Sequence, residues 1–242
     1  MTHERCALCN QLAPLRDSHI IPEFVYKSVY DDKHRAAALD LQRAPIPYVQ
    51  KGLRERLLCN ACEQKFGRWE NTFCRFWKPG TLFPTPITQL NFCVSGFPYA
   101  AFKLFHLSVL WRAGVAKSEA FCLVKLGPHE KHLRNILLSE QSPVDSIYPV
   151  SACVLRHPLS GGPFEECVMA SAVGRVNGVK TYTIVFGGCA WYYAVSNSTN
   201  PFPAAQILSP TSFYLPVVDA VSFPPLAKFM KAHGDLEAKA LA

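Results

Sequence analysis

Charge is scarce in this sequence. Only 18% of its 242 residues are Asp, Glu, Lys or Arg, while 49% are hydrophobic, a balance that excludes a chain kept unfolded by its own charge and is ample for a buried core. Nowhere do about 18 apolar residues run uninterrupted, so no segment reads as a membrane-spanning helix and no membrane partner is expected. An apolar leader is missing too: Met1-Thr2-His3-Glu4-Arg5 runs straight into Cys6, which favours a cytoplasmic protein. Internal repeats and low-complexity tracts are absent, which excludes a solenoid or a tail of biased composition.

Cysteine, by contrast, is plentiful, with ten in all. Four fall in two Cys-x-x-Cys pairs, Cys6 with Cys9 and Cys59 with Cys62. Each pair puts two thiolates on one tight turn, and two pairs complete the closed four-sulfur shell of a structural zinc site. The metal would pin both ends of residues 10–58 and hold the run Asp17-Ser18-His19-Ile20-Ile21-Pro22 in a fixed place. Cys74, Cys93, Cys122, Cys153, Cys167 and Cys189 stand singly in apolar surroundings and read as buried free thiols of a reducing compartment.

In chain order, residues 18–21 read as a short extended run stopped by Pro22, which opens a helix over 23–30. Residues 48–50 and 53–58 read as two arms of a hairpin turning at Lys51-Gly52. From Ala61 the spacing becomes helical, with Phe66, Trp69, Phe73 and Trp77 on one side until Pro79-Gly80. A second stripe of that helix carries Glu63, Gly67 and Glu70: two carboxylates on one face with a glycine between them, fit for a close ligand or for plain solvation. Residues 81–98, rich in proline, read as a connection. Beyond it come a helix over 99–115, a strand over 121–126, a helix over 128–139, strands over 147–155, 168–176, 179–186, 190–195 and 213–218, and a short helix over 224–232. Asn177-Gly178 marks a type I′ hairpin turn.

A formal net charge of +7 favours a polyanionic partner, although neither part of the chain is a dedicated basic arm. Phe102, Phe105 and Trp111 at helical spacing read as core rather than as a base-stacking platform. His106, His129, His132 and His157 have no metal-ligand spacing with other ligand types.

The order Cys-x-x-Cys, Ser-His-Ile-Ile-Pro, then Leu-Leu-Cys-x-x-Cys-Glu leading into a helix resembles the HNH endonucleases, the ββα-metal or His-Me finger group, in a zinc-ribbed treble-clef form. The resemblance covers about residues 6–80. It implies that His19 is the general base and that Glu63, directly after the last cysteine, is a catalytic residue and a ligand for Mg²⁺ or Mn²⁺. Ser18 stands where those nucleases carry a metal-binding aspartate; a hydroxyl is a poor ligand for a hard cation, which leaves Asp17 and Glu70 to compensate. Arg35, Arg54, Arg56 and Arg68 are the candidate phosphate contacts, although each taken alone reads first as an ordinary solvated surface charge.

The fold expected is α+β: an N-terminal treble-clef zinc/ββα-metal module over 1–80, a connection over 81–98, and a mixed helix and antiparallel-sheet region over 99–242 of unassigned role. The function expected is metal-dependent hydrolysis of nucleic acid, DNA ahead of RNA, with restriction or antiviral defence suggested by analogy alone. A protein partner or homodimer through the C-terminal region stays open. From a different class, a non-catalytic treble-clef module binding nucleic acid or protein competes with this reading, and Ser18 in place of aspartate favours it.

Overall fold

A computed structural model of the protein describes residues 3–30, 33, 35–37, 48–50 and 52–227. The chain opens with a knuckle: β1 (Glu4–Arg5) pairs antiparallel with β2 (Leu12–Ala13), and Cys6 to Cys9 form the tip. Asn10 closes the tip at φ 63, a left-handed conformation that asparagine tolerates better than most residues. β3 (Leu15–His19) follows, and Pro22 leads into one turn of 3-10 helix, Glu23–Tyr26, rather than the longer helix expected. Tyr26 and Tyr30 stack at 5.9 Å, and Val25 and Tyr26 are buried, so side chains that favour extended backbone are satisfied here by packing.

The hairpin expected across Gly52 does not form. β5 (Tyr48–Gln50) pairs instead with β4 (Arg35–Ala37), and β6 (Arg54–Cys59) pairs antiparallel with β3, from Leu15 opposite Cys59 to His19 opposite Arg54. Gly52 does have a positive φ, +69°, but its use is different. A Cβ there would sit 2.7 Å from the Tyr26 ring, so the glycine lets the chain pass under that ring. Ile20 then donates its N–H to Leu53 O at 2.9 Å, and the chain continues along β3.

β6 delivers Cys59 to the start of α1 (Asn60–Phe76), whose buried face is the expected one: Cys62, Phe66, Trp69 and Phe73. Each such aromatic side chain contributes about 1.5–3 kcal/mol by burial. A short α2 (Pro79–Leu82) follows. Residues 81–98 are more than a connection, because β7 (Asn91–Ser95) is an edge strand of the main sheet.

α3 (Tyr99–Val115) is buried without a break from Phe102 to Ala113, its mostly apolar residues taking Lys103, His106, Ser108 and Arg112 inside with them, and it lies against α1, α4 (His129–Ser139) and the sheet. Residues 121–126 form turns rather than a strand; Phe121, Val124 and Leu126 are buried, and the Tyr182 hydroxyl bridges Lys125 N and O at 2.8 and 2.9 Å. The remaining strands are β8 (Val150–Arg156), β9 (Met169–Val176), β10 (Val179–Phe186), β11 (Cys189–Ala194) and β12 (Ser212–Asp219), in sheet order β7-β12-β8-β11-β10-β9. The sheet is mixed, since β12 runs parallel to β8 while its other pairs are antiparallel. Asn177 and Gly178, at φ 45 and 80, make the expected turn between β9 and β10. Residues 224–227 are helical; the rest of the expected last helix, and Lys51, lie outside the described residues.

One continuous core joins these layers, from Cys6 and Leu8 in the knuckle to Phe213 and Leu215 in β12. At its centre the Phe73 and Phe105 rings stack at 4.0 Å, and Trp77 meets Trp191 edge-on at 4.9 Å. The architecture is α+β, and no described helix is long and apolar enough to cross a membrane.

Candidate functional site

The knuckle and the β6–α1 junction bring four sulfurs together. The Sγ atoms of Cys6, Cys9, Cys59 and Cys62 all lie within 4.8 Å of one another, with Cys9 and Cys59 at 3.8 Å. A tetrahedral zinc with Zn–S bonds of about 2.3 Å needs sulfurs about 3.8 Å apart, so this donor set fits a metal ion such as zinc. Cys59 N–H donates to Cys6 Sγ at 3.3 Å, a bond that supports a thiolate, and Arg134 Nε of α4 donates to Leu8 O at 2.6 Å, fixing the knuckle from behind. The other six cysteines are free thiols, but they are not uniformly buried: Cys153, Cys167 and Cys189 are, whereas Cys93 and Cys122 are exposed and Cys74 is intermediate.

His19 ends β3. Its Nε2 lies against Glu23 Oε2, four residues on, and the Tyr30 hydroxyl donates to Glu23 Oε1 at 3.0 Å. The adjacent Ser18 is fully buried and donates through Oγ to Glu63 Oε2 at 2.7 Å, tying the strand end to the first turn of α1. The β3–β6 pair followed by α1 therefore places His19, Ser18 and Glu63 in one neighbourhood, next to the cysteines that flank them in sequence.

Asp17 and Glu70 are engaged elsewhere. The Asp17 carboxylate pairs with Arg54 Nη1 at 2.8 Å, and Glu70 Oε1 lies 2.7 Å from Arg112 Nη1. Among the described residues no His, Cys, Asp or Glu group other than the four cysteines converges as a metal-binding set. The shared stripe of Glu63 and Glu70 thus does not become a shared site: each carboxylate has its own partner, and a Cβ at Gly67 would meet nothing within 4 Å, so no close approach demands that glycine.

Three of the four candidate arginines are paired as well: Arg54 with Asp17, Arg56 Nη2 with Glu4 at 2.9 Å, and Arg68 Nη2 with Glu140 at 2.7 Å. Exposed pairs of this kind are weak enough for a phosphate to displace. Arg35 lies in β4 opposite Gln50, and its side chain is outside the described residues.

Two groups at the site went unforeseen. Glu23 has a signal in the sequence, a carboxylate at i+4 from the histidine. Arg112 has another, a cation on a helix made mostly of apolar and aromatic residues, where burial demands a partner. A cavity of ≈ 280 Å³ lined by Phe24, Cys74, Trp77, Lys78 and Glu165 lies behind the Glu23 turn; neither His19, Ser18, Glu63 nor a cysteine of the cluster lines it. No family model, curated protein or solved structure matches this chain.

Proposed function

We propose that the protein is a nuclease of the HNH type, in which a zinc-bound treble clef presents His19 to a phosphodiester, DNA ahead of RNA. The observation carrying this reading is the Ser18–Glu63 bond of 2.7 Å, which joins the end of the histidine strand to the acidic first turn of α1 in a strand–strand–helix arrangement. Four thiolates leave no open coordination position, so the zinc shapes the site and stays out of the chemistry.

His19 takes a proton from water as the oxygen attacks phosphorus, and Glu23, itself held by Tyr30, orients the imidazole and stabilises the charge it gains. The α1 N-terminus favours the negative charge of both Glu63 and a phosphate close by. A Mg²⁺ or Mn²⁺ ion, when bound, supplies positive charge at the scissile phosphate and the departing oxygen. Asp17 and Glu70 do not converge with Glu63 on one point among the described residues, Asp17 meeting Arg54 and Glu70 the buried Arg112. Glu63 fits as its ligand: its Oε1 has no partner among the described residues, and such ions commonly take one or two carboxylates, waters and the substrate phosphate.

The test is nicking of supercoiled plasmid with and without Mg²⁺ or Mn²⁺. His19→Ala should keep zinc and DNA binding and lose cleavage by about 10²–10⁴-fold. A mutant that folds and nicks at the wild-type rate removes His19 from the chemistry. The internal pairing of Asp17, Glu63 and Glu70 favours a second reading, a binding module without catalysis. Gel retardation of DNA by a wild-type protein that never nicks it would establish that reading instead.

A further inference from the structure

Besides Ser18, a second side chain ties the His19 strand end to the rest of the molecule: Arg112, a residue of α3 distant in sequence from both cysteine pairs. Its side chain is 1% exposed. Nη1 donates to His19 O at 2.6 Å and lies 2.7 Å from Glu70 Oε1 of α1. Nε and Nη2 turn back to Ser108 O and Ser108 Oγ, both at 3.3 Å, and the guanidinium carbon sits 5.3 Å over the Phe66 ring. One planar cation thus joins three elements: α3 through Ser108, α1 through Phe66 and Glu70, and the end of β3 through the backbone of His19 itself.

Every bond in this set needs the fork. A lysine ammonium has no fixed plane and cannot serve Ser108, Glu70 and the His19 carbonyl together. Glu70 depends on Arg112 in turn, because Oε1 is buried and takes no hydrogen bond, leaving the guanidinium charge as its compensation. The carbonyl accepting from Arg112 belongs to the same residue whose ring meets Glu23, so a displaced guanidinium frees the peptide that sets the direction of the imidazole.

We propose that Arg112, locked by Glu70, is the positioning residue of the candidate site: it holds the His19 backbone at 2.6 Å and so fixes the imidazole against Glu23, assigning α3 a part in the chemistry. This rests on the role given to His19 above. Glu70 acts within this strut and is not a cation ligand. Misplacement of a reacting group by about 1 Å can cost 10²-fold in rate, which sets the scale of the effect.

The experiment uses the full zinc-loaded chain and three variants: Arg112→Lys, Glu70→Gln, and Arg112→Met combined with Glu70→Gln, the last removing the carboxylate that Arg112→Met alone would strand. Three quantities are read: zinc content, the His19 ring cross-peak in a carbon–proton NMR spectrum, assigned by its loss in His19→Ala, and the kcat and KM of nicking. The double variant should keep its zinc, move or split the His19 cross-peak, and lose about 10–100-fold in kcat with KM within about threefold. Arg112→Lys should give an intermediate displacement. Folded variants whose His19 cross-peak stays at the wild-type position overturn the proposal, as does a double variant with wild-type kcat. If the double variant fails to fold, Glu70→Gln decides in the same way, since it leaves the Arg112 bonds to Ser108 in place. A displaced cross-peak in a protein whose wild type never nicks DNA upholds the strut and defeats the nuclease reading, so the two can fail separately.

Discussion

Ser18 is a hydroxyl wholly out of solvent, and its one hydrogen bond runs to a carboxylate. The hydroxyl donates to one carboxylate oxygen of Glu63, so a donor and an acceptor are matched at this junction. Substituting aspartate reverses this logic. In Ser18→Asp two carboxylates face each other where a donor and an acceptor stood. Without divalent cations the variant should melt several degrees below wild type, the result of about 1–3 kcal/mol of like-charge and desolvation cost. Millimolar Mn²⁺ should restore much of that loss while leaving the wild type nearly unmoved, since a ligand that binds only the folded state stabilises it by mass action. A Ser18→Asp melting curve indifferent to Mn²⁺ would show that this junction is no cation site. His19 also meets a carboxylate close in sequence: the chain bends through Ile20-Ile21-Pro22, and Glu23 at the start of the 3-10 turn comes back against its ring.

At the scale of elements, Cys59 does three jobs. It ends β6, it is the extended N-cap residue of α1, and its sulfur belongs to the four-cysteine cluster. The cysteine cluster, strand pairing and helix start therefore meet at one residue. Cys59→Ser should drop bound zinc well below one per chain and lower unfolding stability by more than about 3 kcal/mol, because structural zinc binding is folding free energy. A variant with full zinc and an unchanged melting curve would remove Cys59 from the shell. The cysteine spacing made this centre legible, and the 3.6-residue repeat did the same for α1, because both signals are local. The pairing of β3 with β6 was not local. Residues 48–50 and 53–58 alternate well enough to suggest a hairpin, and Gly52 supplies the positive φ that a hairpin turn wants. The true partner is chosen by contacts distant in sequence: Cys59 N–H on Cys6 Sγ, the Tyr26 ring over Gly52, and Ile20 N–H on Leu53 O. Arg112 was hidden for the same reason, since nothing near position 112 reveals that α1 and β3 meet there.

Over the whole molecule, α3 carries titratable groups into a core that is continuous from the cysteine knuckle to β12, so their protonation bears on the entire fold. Lys103 is buried, donating to Tyr148 O at 2.8 Å and Asp145 O at 3.3 Å; burial pushes its ammonium down to about 7, against the pull of Asp145. His106 lies one turn on, its Nδ1 3.1 Å from the Tyr193 hydroxyl between the Phe73 and Trp191 rings, and burial followed by the nearby Lys103 holds it well below the usual histidine range. Both groups bind a proton more readily in the unfolded chain. Stability is therefore lost as pH falls through about 6.5, where unfolded His106 takes up its proton, and it rises as pH climbs from about 7 toward 10.5, where the unfolded lysine alone is still charged. Cys153, Cys167 and Cys189 act the opposite way: burial raises all three, Cys167 to about 12, so stability is lost above about pH 9 as the unfolded thiols ionise. Denaturant titrations at several pH values should place maximum stability near about pH 9, since one lysine lifts the curve up to there and three thiols lower it beyond. Lys103→Met isolates the lysine. Relative to this variant the wild type should gain stability between pH 7 and 10, by at most about 1.4 kcal/mol per pH unit, the slope of a single linked proton. A wild-type minus Lys103→Met difference that is flat across that range would mean that Lys103 keeps its proton in the folded core, with the Tyr148 and Asp145 carbonyls solvating a buried ammonium in place of water.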